Sequence, residues 1–262
     1  MTKIALHGAT GRMGKAIARL CAERPGIELV GAICHPDDPQ VGADLGEIAG
    51  MPNIGVAVTP DVDAGLRGAE VVIDFSLPPA LKPLLRAAMA QGVAVVSGTT
   101  GFTAVEEALL QSASERIALL HARNMSLGVH VLAELVEQAA RRLADFDVEI
   151  VEIHHNRKVD SPSGTAKRLA DAVRDARPEA VNTFVRAGDV GARPRNEVGV
   201  FGVRGGDVPG DHTVFLFGPG ERLELTHRAG SRDIFASGAL RAASWISGKA
   251  PGLYSIADVL RG

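Results

Sequence analysis

A glycine turn near the start of the chain constrains the fold more than any other feature. Lys3 to Leu6 read as a short strand, and Gly8-Ala9-Thr10-Gly11-Arg12-Met13-Gly14 follows almost at once. Met13, Ile17 and Leu20 then recur at helical spacing. Strand, glycine turn and helix in this order form the context of a dinucleotide-binding βαβ unit. Glycines there keep the turn tight, let the backbone approach a pyrophosphate, and let the helix lie close to the strand. The spacing is G-x-x-G-x-x-G rather than the commoner G-x-G-x-x-G, so the pattern takes its weight from its place after a strand.

The next segments continue the alternation. Ile27 to Ile33 reads as a second strand. At its end such folds place an acid that binds the ribose of NAD, or an arginine near the 2′-phosphate of NADP. Here His35 and Pro36 occupy that place, with Asp37 and Asp38 further along and Arg12 in the glycine turn, so NADH and NADPH both stay open. Pro36 to Pro60 is rich in Gly, Pro and Asp and reads mostly as loop. Strands are expected at Glu70–Phe75, Val93–Val96 and Ile117–Leu120, with helices from Pro78-Pro79 to about Ala90 and around Leu109-Leu110. This pattern predicts a parallel sheet covered by helices on both faces. Ligands bind such sheets at the carboxyl ends of the strands, where Asp74–Ser76, Gly98–Thr100 and Ala122–Met125 fall. Small residues and exposed amides make Gly98, Thr99 and Thr100 the expected place for a nicotinamide.

After a helix from Asn124 through Leu143 the texture changes. Strand-like runs lie at Val148–Ile153, Thr183–Arg186, Val198–Val203, Thr213–Phe217 and Arg222–Thr226, with one clear helix at Ala166–Ala176. That predicts an α+β domain with a mixed or antiparallel sheet. Gly188–Arg195 is a basic, glycine-rich loop, either a flap or a linker. Ser237–Ile246 returns to helix, and the tail from Gly252 to Leu260 is helical or loose. The expected division is a Rossmann-like α/β domain at 1–125, completed by 236–262, and a second domain at 126–235.

The chemistry concentrates in Glu152 to Ala166, between the strand Val148–Ile153 and the helix Ala166–Ala176. Unpaired N–H groups at a helix start attract anions. Ser163, Gly164 and Thr165 offer such donors, and Gly164 lets the backbone come close. Lys158 adds a positive charge, while His154 and His155 exchange protons near neutral pH. Either feature alone is ordinary, since adjacent histidines can be one core and one surface residue and Ser-Gly-Thr a plain helix cap. Together they point to an active site that takes a carboxylate. A metal centre is not expected, because adjacent histidines diverge on a strand and no ligand-spaced set accompanies them.

Composition closes off other classes. A formal charge of −3 gives no global attraction to nucleic acid or anionic membrane. No run is long and apolar enough for a signal peptide or a membrane span. Cys21 and Cys34 form no metal or disulfide pattern, so a reduced, cytoplasmic protein is expected.

Nearly the whole chain resembles the 4-hydroxy-tetrahydrodipicolinate reductase family, also called dihydrodipicolinate reductases. The resemblance rests on Gly8–Gly14, Ser97-Gly98-Thr99-Thr100-Gly101, Asn124-Met125-Ser126-Leu127-Gly128-Val129 and above all His154–Ala166. Arg204-Gly205-Gly206-Asp207, Asp211-His212-Thr213-Val214 and Glu224–Ala229 extend it. It implies NADH- or NADPH-dependent reduction of the cyclic imine derived from (S)-4-hydroxy-tetrahydrodipicolinate, with loss of water, to tetrahydrodipicolinate. That is a step of diaminopimelate and lysine synthesis. It also implies a homotetramer built through the second domain. By resemblance, His154 is the proton donor/acceptor and Lys158 a proton donor; His155, Gly164 and Thr165 bind the substrate. The cofactor positions are Gly8, Ala9, Thr10, Gly11, Arg12, Met13, Gly98, Thr99, Thr100, Ala122, Arg123, Asn124 and Met125, with His35 at the ribose. His35, Pro36, Arg123 and His130 depart from the usual family residues. A reductase of another cyclic imine, which would differ near Asn156 and Arg157, and a catalytically silent dinucleotide-binding regulator are the competing readings.

Overall fold

Apolar strands and amphipathic helices alternate as the sequence predicts. The computed structural model covers residues 1–262. Its first half contains β1 (Thr2–His7), α1 (Arg12–Ala22), β2 (Ile27–Ile33), α2 (Leu45–Ile48), β3 (Val58–Thr59), α3 (Val62–Gly65), β4 (Val71–Asp74), α4 (Leu81–Gln91), β5 (Ala94–Ser97), α5 (Ala104–Ser114) and β6 (Ala118–His121). The rest contains α6 (Leu127–Arg142), β7 (Asp147–His154), α7 (Gly164–Ala176), β8 (Val181–Thr183), β9 (Glu197–Arg204), β10 (Asp211–Gly218), β11 (Glu221–Arg228), α8 (Asp233–Ile246), β12 (Gly252–Tyr254) and α9 (Ile256–Arg261). The chain divides into one unit of Met1–Met125 with Asp233–Gly262 and another of Ser126–Arg232.

In the first unit seven strands form a parallel sheet in the order β12-β6-β5-β4-β1-β2-β3. Every residue of β4 and β5 is buried, as expected of parallel strands covered on both faces. The order reverses between β1 and β4, which opens a crevice at their carboxyl ends. Register places His7 beside Asp74, Asp74 beside Ser97, and Ser97 beside His121, so a polar row crosses the carboxyl end of the sheet. Glycine stops α4, with Gly92 in the left-handed region at φ 69°. A Thr103–Glu106 capping box starts α5. The tail is more ordered than expected: Gly252–Tyr254 pairs with β6, and a second capping box, Ser255 with Asp258, starts α9.

The second unit has a mixed sheet in the order β11-β10-β7-β9-β8. β10 runs antiparallel to β7 and β11, while β9 runs parallel to β7 and β8. Along β7, Val148, Ile150, Glu152 and His154 are buried and alternate with half-buried residues. Val148 and Ile150 join Leu132, Val136, Leu169, Val173, Val200 and Leu216 in the core against α6 and α7. Period two therefore carries Glu152 and His154 onto the helix-covered face, at its polar end. The strand expected at Thr183–Arg186 lies instead at Val181–Thr183. The chain leaves the ladder there because Arg186 turns to bind Glu149 and Glu197, leaving Val185 exposed. The basic loop around Gly188–Arg195 is tied to the sheet by Arg193, which pairs with Asp147 at 2.7 Å and Glu149 at 2.9 Å.

Candidate active site

In the first unit the glycine turn has the form a dinucleotide needs. Gly8 has φ 77°, and a Cβ there would stand 2.5 Å from the Phe75 carbonyl oxygen. A Cβ at Gly14 would run into the carbonyl of Ala9, which is how closely α1 lies on the turn. Gly11 caps α1 without a side-chain hydrogen bond, and the first turn of α1 holds no acid. Anion and helix dipole are thus left to each other, and the turn fits a pyrophosphate. Ala9 is buried, Met13 half-buried, and Arg12 exposed at the helix start. His35 points to solvent, its side chain 71% exposed and beside Asp37. Asp38, not His35, faces the glycine turn. A turn closed by Asp38 N–H to the His35 carbonyl folds it back, and its Oδ2 accepts from Thr10 Oγ1 at 2.6 Å. That bond, the largest cause, and one from the Gln40 amide hold its carboxyl below the ordinary range.

Behind the turn lies a buried carboxylate. Asp74 accepts from His7 Nδ1 at 2.8 Å, Ser76 Oγ at 2.6 Å, Ser97 Oγ at 2.7 Å and Thr99 Oγ1 at 2.9 Å. Gly98 donates its amide to the Asp74 carbonyl, and a Cβ on it would collide with the Phe75 ring. Thr99 is buried with its hydroxyl engaged, and Thr100 is exposed. His121 Nε2 lies 3.0 Å from the Thr99 carbonyl oxygen. Ala122 and Met125 are buried and Asn124 half-buried. The Arg123 guanidinium is exposed and pairs with Glu107 on α5 at 2.9 Å.

In the second unit a second buried carboxylate organises the histidine–lysine stretch. Glu152 Oε2 accepts from His154 Nδ1 at 2.5 Å, and Oε1 accepts from the Ser163 amide at 3.0 Å. Arg204 grips both oxygens at 2.8 Å. Burial raises the Glu152 pKa, but the bonds from Arg204, His154 and Ser163 outweigh it and the carboxyl stays below its ordinary range. The carboxylate accepts, so His154 carries its proton on Nδ1 and its Nε2 is the ring's acceptor. A Cβ on Gly210 would stand 2.9 Å from that Nε2. His212 lies edge-on to His154, with ring centres 5.1 Å apart, and its Nε2 is 3.1 Å from Ser163 Oγ. Burial, followed by the His154 charge, pushes His212 down to about 4.

The same loop supplies the remaining groups. Ser163 Oγ caps α7 by accepting from Ala166 N–H at 3.1 Å, and the first turn holds no acid. Gly164 is exposed with open space where a Cβ would be, and Thr165 is half-buried. Arg232 donates to His155 Nε2 at 3.3 Å. A guanidinium only donates, so that nitrogen is the acceptor and the His155 proton sits on Nδ1, which is buried without a protein partner. Burial, then Arg232 and Arg157, lowers the His155 pKa. Lys158 Nζ is 2.7 Å from Asp160 Oδ1, with the lysine side chain 19% exposed. His154, His155, Lys158 and Ser163 to Thr165 thus surround one end of β7 and one helix start. Glu152, Arg204, Gly210 and Arg232 received no role from the sequence, although Glu152 two places before His154 on a strand was the signal for a shared face.

Comparison with known proteins gives a consistent set of relatives. Residues 2–125 match the family model for the dihydrodipicolinate reductase N-terminus, and residues 128–260 match that for its C-terminus. The chain is 48% identical over 264 residues to the 4-hydroxy-tetrahydrodipicolinate reductase of Anaeromyxobacter dehalogenans (strain 2CP-C), covering 99% of this chain and 98% of that one. It is 46% identical to the enzyme of the same name from Syntrophotalea carbinolica, at 99% coverage of both. Among solved structures it resembles dipicolinate-bound dihydrodipicolinate reductase from Paenisporosarcina sp. TG-14, with TM-score 0.78, 24% identity and 97% of each chain covered. An amine dehydrogenase from Mycobacterium smegmatis shares the fold at TM-score 0.66 and 16% identity, over 97% of this chain and 95% of that one.

Proposed function

The chain belongs to the dihydrodipicolinate reductase family, and from that premise we infer that it reduces 4-hydroxy-tetrahydrodipicolinate, with loss of water, to tetrahydrodipicolinate in lysine biosynthesis. The observation that carries the reading is the Glu152-oriented His154 beside the acid-free start of α7. A bound NADH or NADPH supplies the hydride. We assign its pyrophosphate to Gly8–Met13 and its nicotinamide end to Gly98–Thr100 and Ala122–Met125. One substrate carboxylate lies on the α7 start at Ser163–Thr165, and His155 Nδ1–H is a second donor to the dicarboxylate. Negative charge develops on the ring as it is reduced. Lys158 neutralises it, and His154 Nε2 or the Lys158 ammonium delivers the proton. The first unit is then the dinucleotide-binding domain and the second the substrate-binding domain.

The test is cofactor oxidation at 340 nm with substrate made in place from pyruvate and aspartate semialdehyde by the preceding synthase. Oxidation that depends on the synthase is expected. NADH should outpace NADPH, because a 2′-phosphate would approach the Asp38 carboxylate whereas a ribose hydroxyl can donate to it. Dinucleotide binding without synthase-dependent oxidation would refute the reaction.

We further propose a cytoplasmic homotetramer. Both cysteines are free and buried. The face of the second sheet away from α6 and α7 presents Val151, Ile153, Val203, Phe215 and Phe217, of which Val203 is 49% exposed. An apolar sheet face of this kind favours covering by another copy. Light scattering at micromolar concentration should give four times the 27.3 kDa chain mass; a monomeric mass would refute the assembly.

A further inference from the structure

The two oxygens of Glu152 serve different parts of the proposed site. Oε2 meets His154 Nδ1 at 2.5 Å, and Oε1 meets the Ser163 amide at 3.0 Å, one residue before α7 begins. We propose that Glu152 is a positioning residue that couples the proton donor to the carboxylate-binding helix start. Through one oxygen it fixes the tautomer and direction of the His154 ring. Through the other it holds the N-cap of α7, and with it the donors that meet the substrate. The inference rests on the reading of His154 and α7 given above.

Several observations separate this from a structural ion pair. A buried pair needs only its two charges, and replacing such pairs with apolar residues is often neutral. Here Arg204 already satisfies both oxygens in a fork, donating also to the Asp160 carbonyl at 2.6 Å, yet the carboxylate is turned so that a further lone pair on each oxygen meets the site. One neighbouring glycine leaves room for it. A Cβ on Gly202 would stand 2.9 Å from Glu152 Oε1 and 2.5 Å from Ser161 Oγ. His212 adds a second link by touching Ser163 Oγ and the His154 ring.

The charged and titratable groups around His154 are Glu152 on its own strand, Arg204 on β9, His212 on β10, and His155 and Lys158 on the following loop. Removing the carboxylate withdraws the negative charge in contact with His154 and leaves the Arg204 guanidinium, while Lys158 stays paired with Asp160 at 2.7 Å. A proton on His154 is then held less tightly. The alkaline fall of kcat/KM is expected to move to lower pH, because a carboxylate in contact favours the protonated ring.

The experiment compares Glu152→Gln and Glu152→Asp with wild type in the full chain. It uses dipicolinate, an aromatic cyclic dicarboxylate, as a non-reacting probe in calorimetry, beside pH profiles of kcat/KM, NADH affinity and thermal melting. Glu152→Gln should weaken dipicolinate by about tenfold or more, shift the alkaline limb downward, and leave NADH affinity unchanged. Glu152→Asp keeps the charge but is one methylene too short to reach both partners. It should restore one of the two properties and not both. Wild-type dipicolinate affinity and pH limb in folded Glu152→Gln, or full recovery of both by Glu152→Asp, would overturn the coupling. A wild type without synthase-dependent NADH oxidation would refute the reductase reading instead, while the dipicolinate measurement would still decide the Glu152–Ser163 link.

Discussion

Lys158→Ala lowers kcat by about 10²–10⁴-fold, the range for loss of a positioned proton donor, and leaves NADH affinity unchanged. The lysine stands on the loop after β7, its amide bonded to the His155 carbonyl at 3.1 Å and its ammonium to Asp160. None of these contacts involves the glycine turn. Truncation leaves the half-exposed Asp160 without its partner, which costs about 1 kcal/mol at most, so the loss falls on turnover and not on folding. Lys158→Arg separates two roles. Arginine keeps the charge but cannot release a proton at neutral pH. Failure of arginine to restore turnover would identify proton delivery, whereas rescue would identify charge neutralisation. Steady-state kinetics at saturating substrate, paired with a fluorescence titration of NADH, reads both. Wild-type turnover in Lys158→Ala would remove the lysine from the mechanism.

The fold was legible wherever burial imposes a pattern. β4 and β5 are buried throughout and apolar up to their last residues because helices cover both faces, and β7 alternates because only one face is covered. Legibility failed where pairing is set by distant partners. β12 is a strand because β6 offers an open edge, and three residues are too few for a period to show. The strand expected at Thr183–Arg186 was misplaced by apolar Phe184 and Val185, which lie beyond β8, outside the ladder, and are exposed.

The site shows the same division. Gly8, Gly14, Ser163 and Gly164 were readable because turns and caps are local. Asp38 was not, since its relevance depends on a reverse turn that brings it to Thr10. Arg204 lies fifty-two positions from Glu152. Its role appears only when parallel β7 and β9 place His154 beside Arg204. The polar row from His7 to His121 was hidden for a related reason: each member ends a different strand, and only the sheet register lines them up.

That row yields the other large effect. Asp74→Ala is expected to cost about 3–5 kcal/mol of stability, the range for breaking a buried ionic network from one side, and to weaken NADH at least tenfold. The carboxylate is fully buried and receives His7, Ser76, Ser97 and Thr99 at once. Alanine leaves those donors without an acceptor, and they sit on the segments that form the glycine turn and the Gly98–Thr100 loop. Burial pushes the Asp74 pKa up, but the His7 hydrogen bond and charge, with the bonds from Ser76 and Ser97, outweigh it and hold the carboxyl below its ordinary range. A depressed folded-state pKa contributes stability that is fully present above the unfolded value of about 3.9 and disappears as pH falls through the folded value. Wild type should therefore lose stability steeply below about pH 4. Asp74→Asn, which cannot titrate there, should start less stable at pH 7 and show a shallower acid limb in denaturant melts. Parallel acid limbs for the two proteins would mean that the Asp74 carboxyl titrates alike folded and unfolded, and the polar row would then gain nothing from the charge on Asp74.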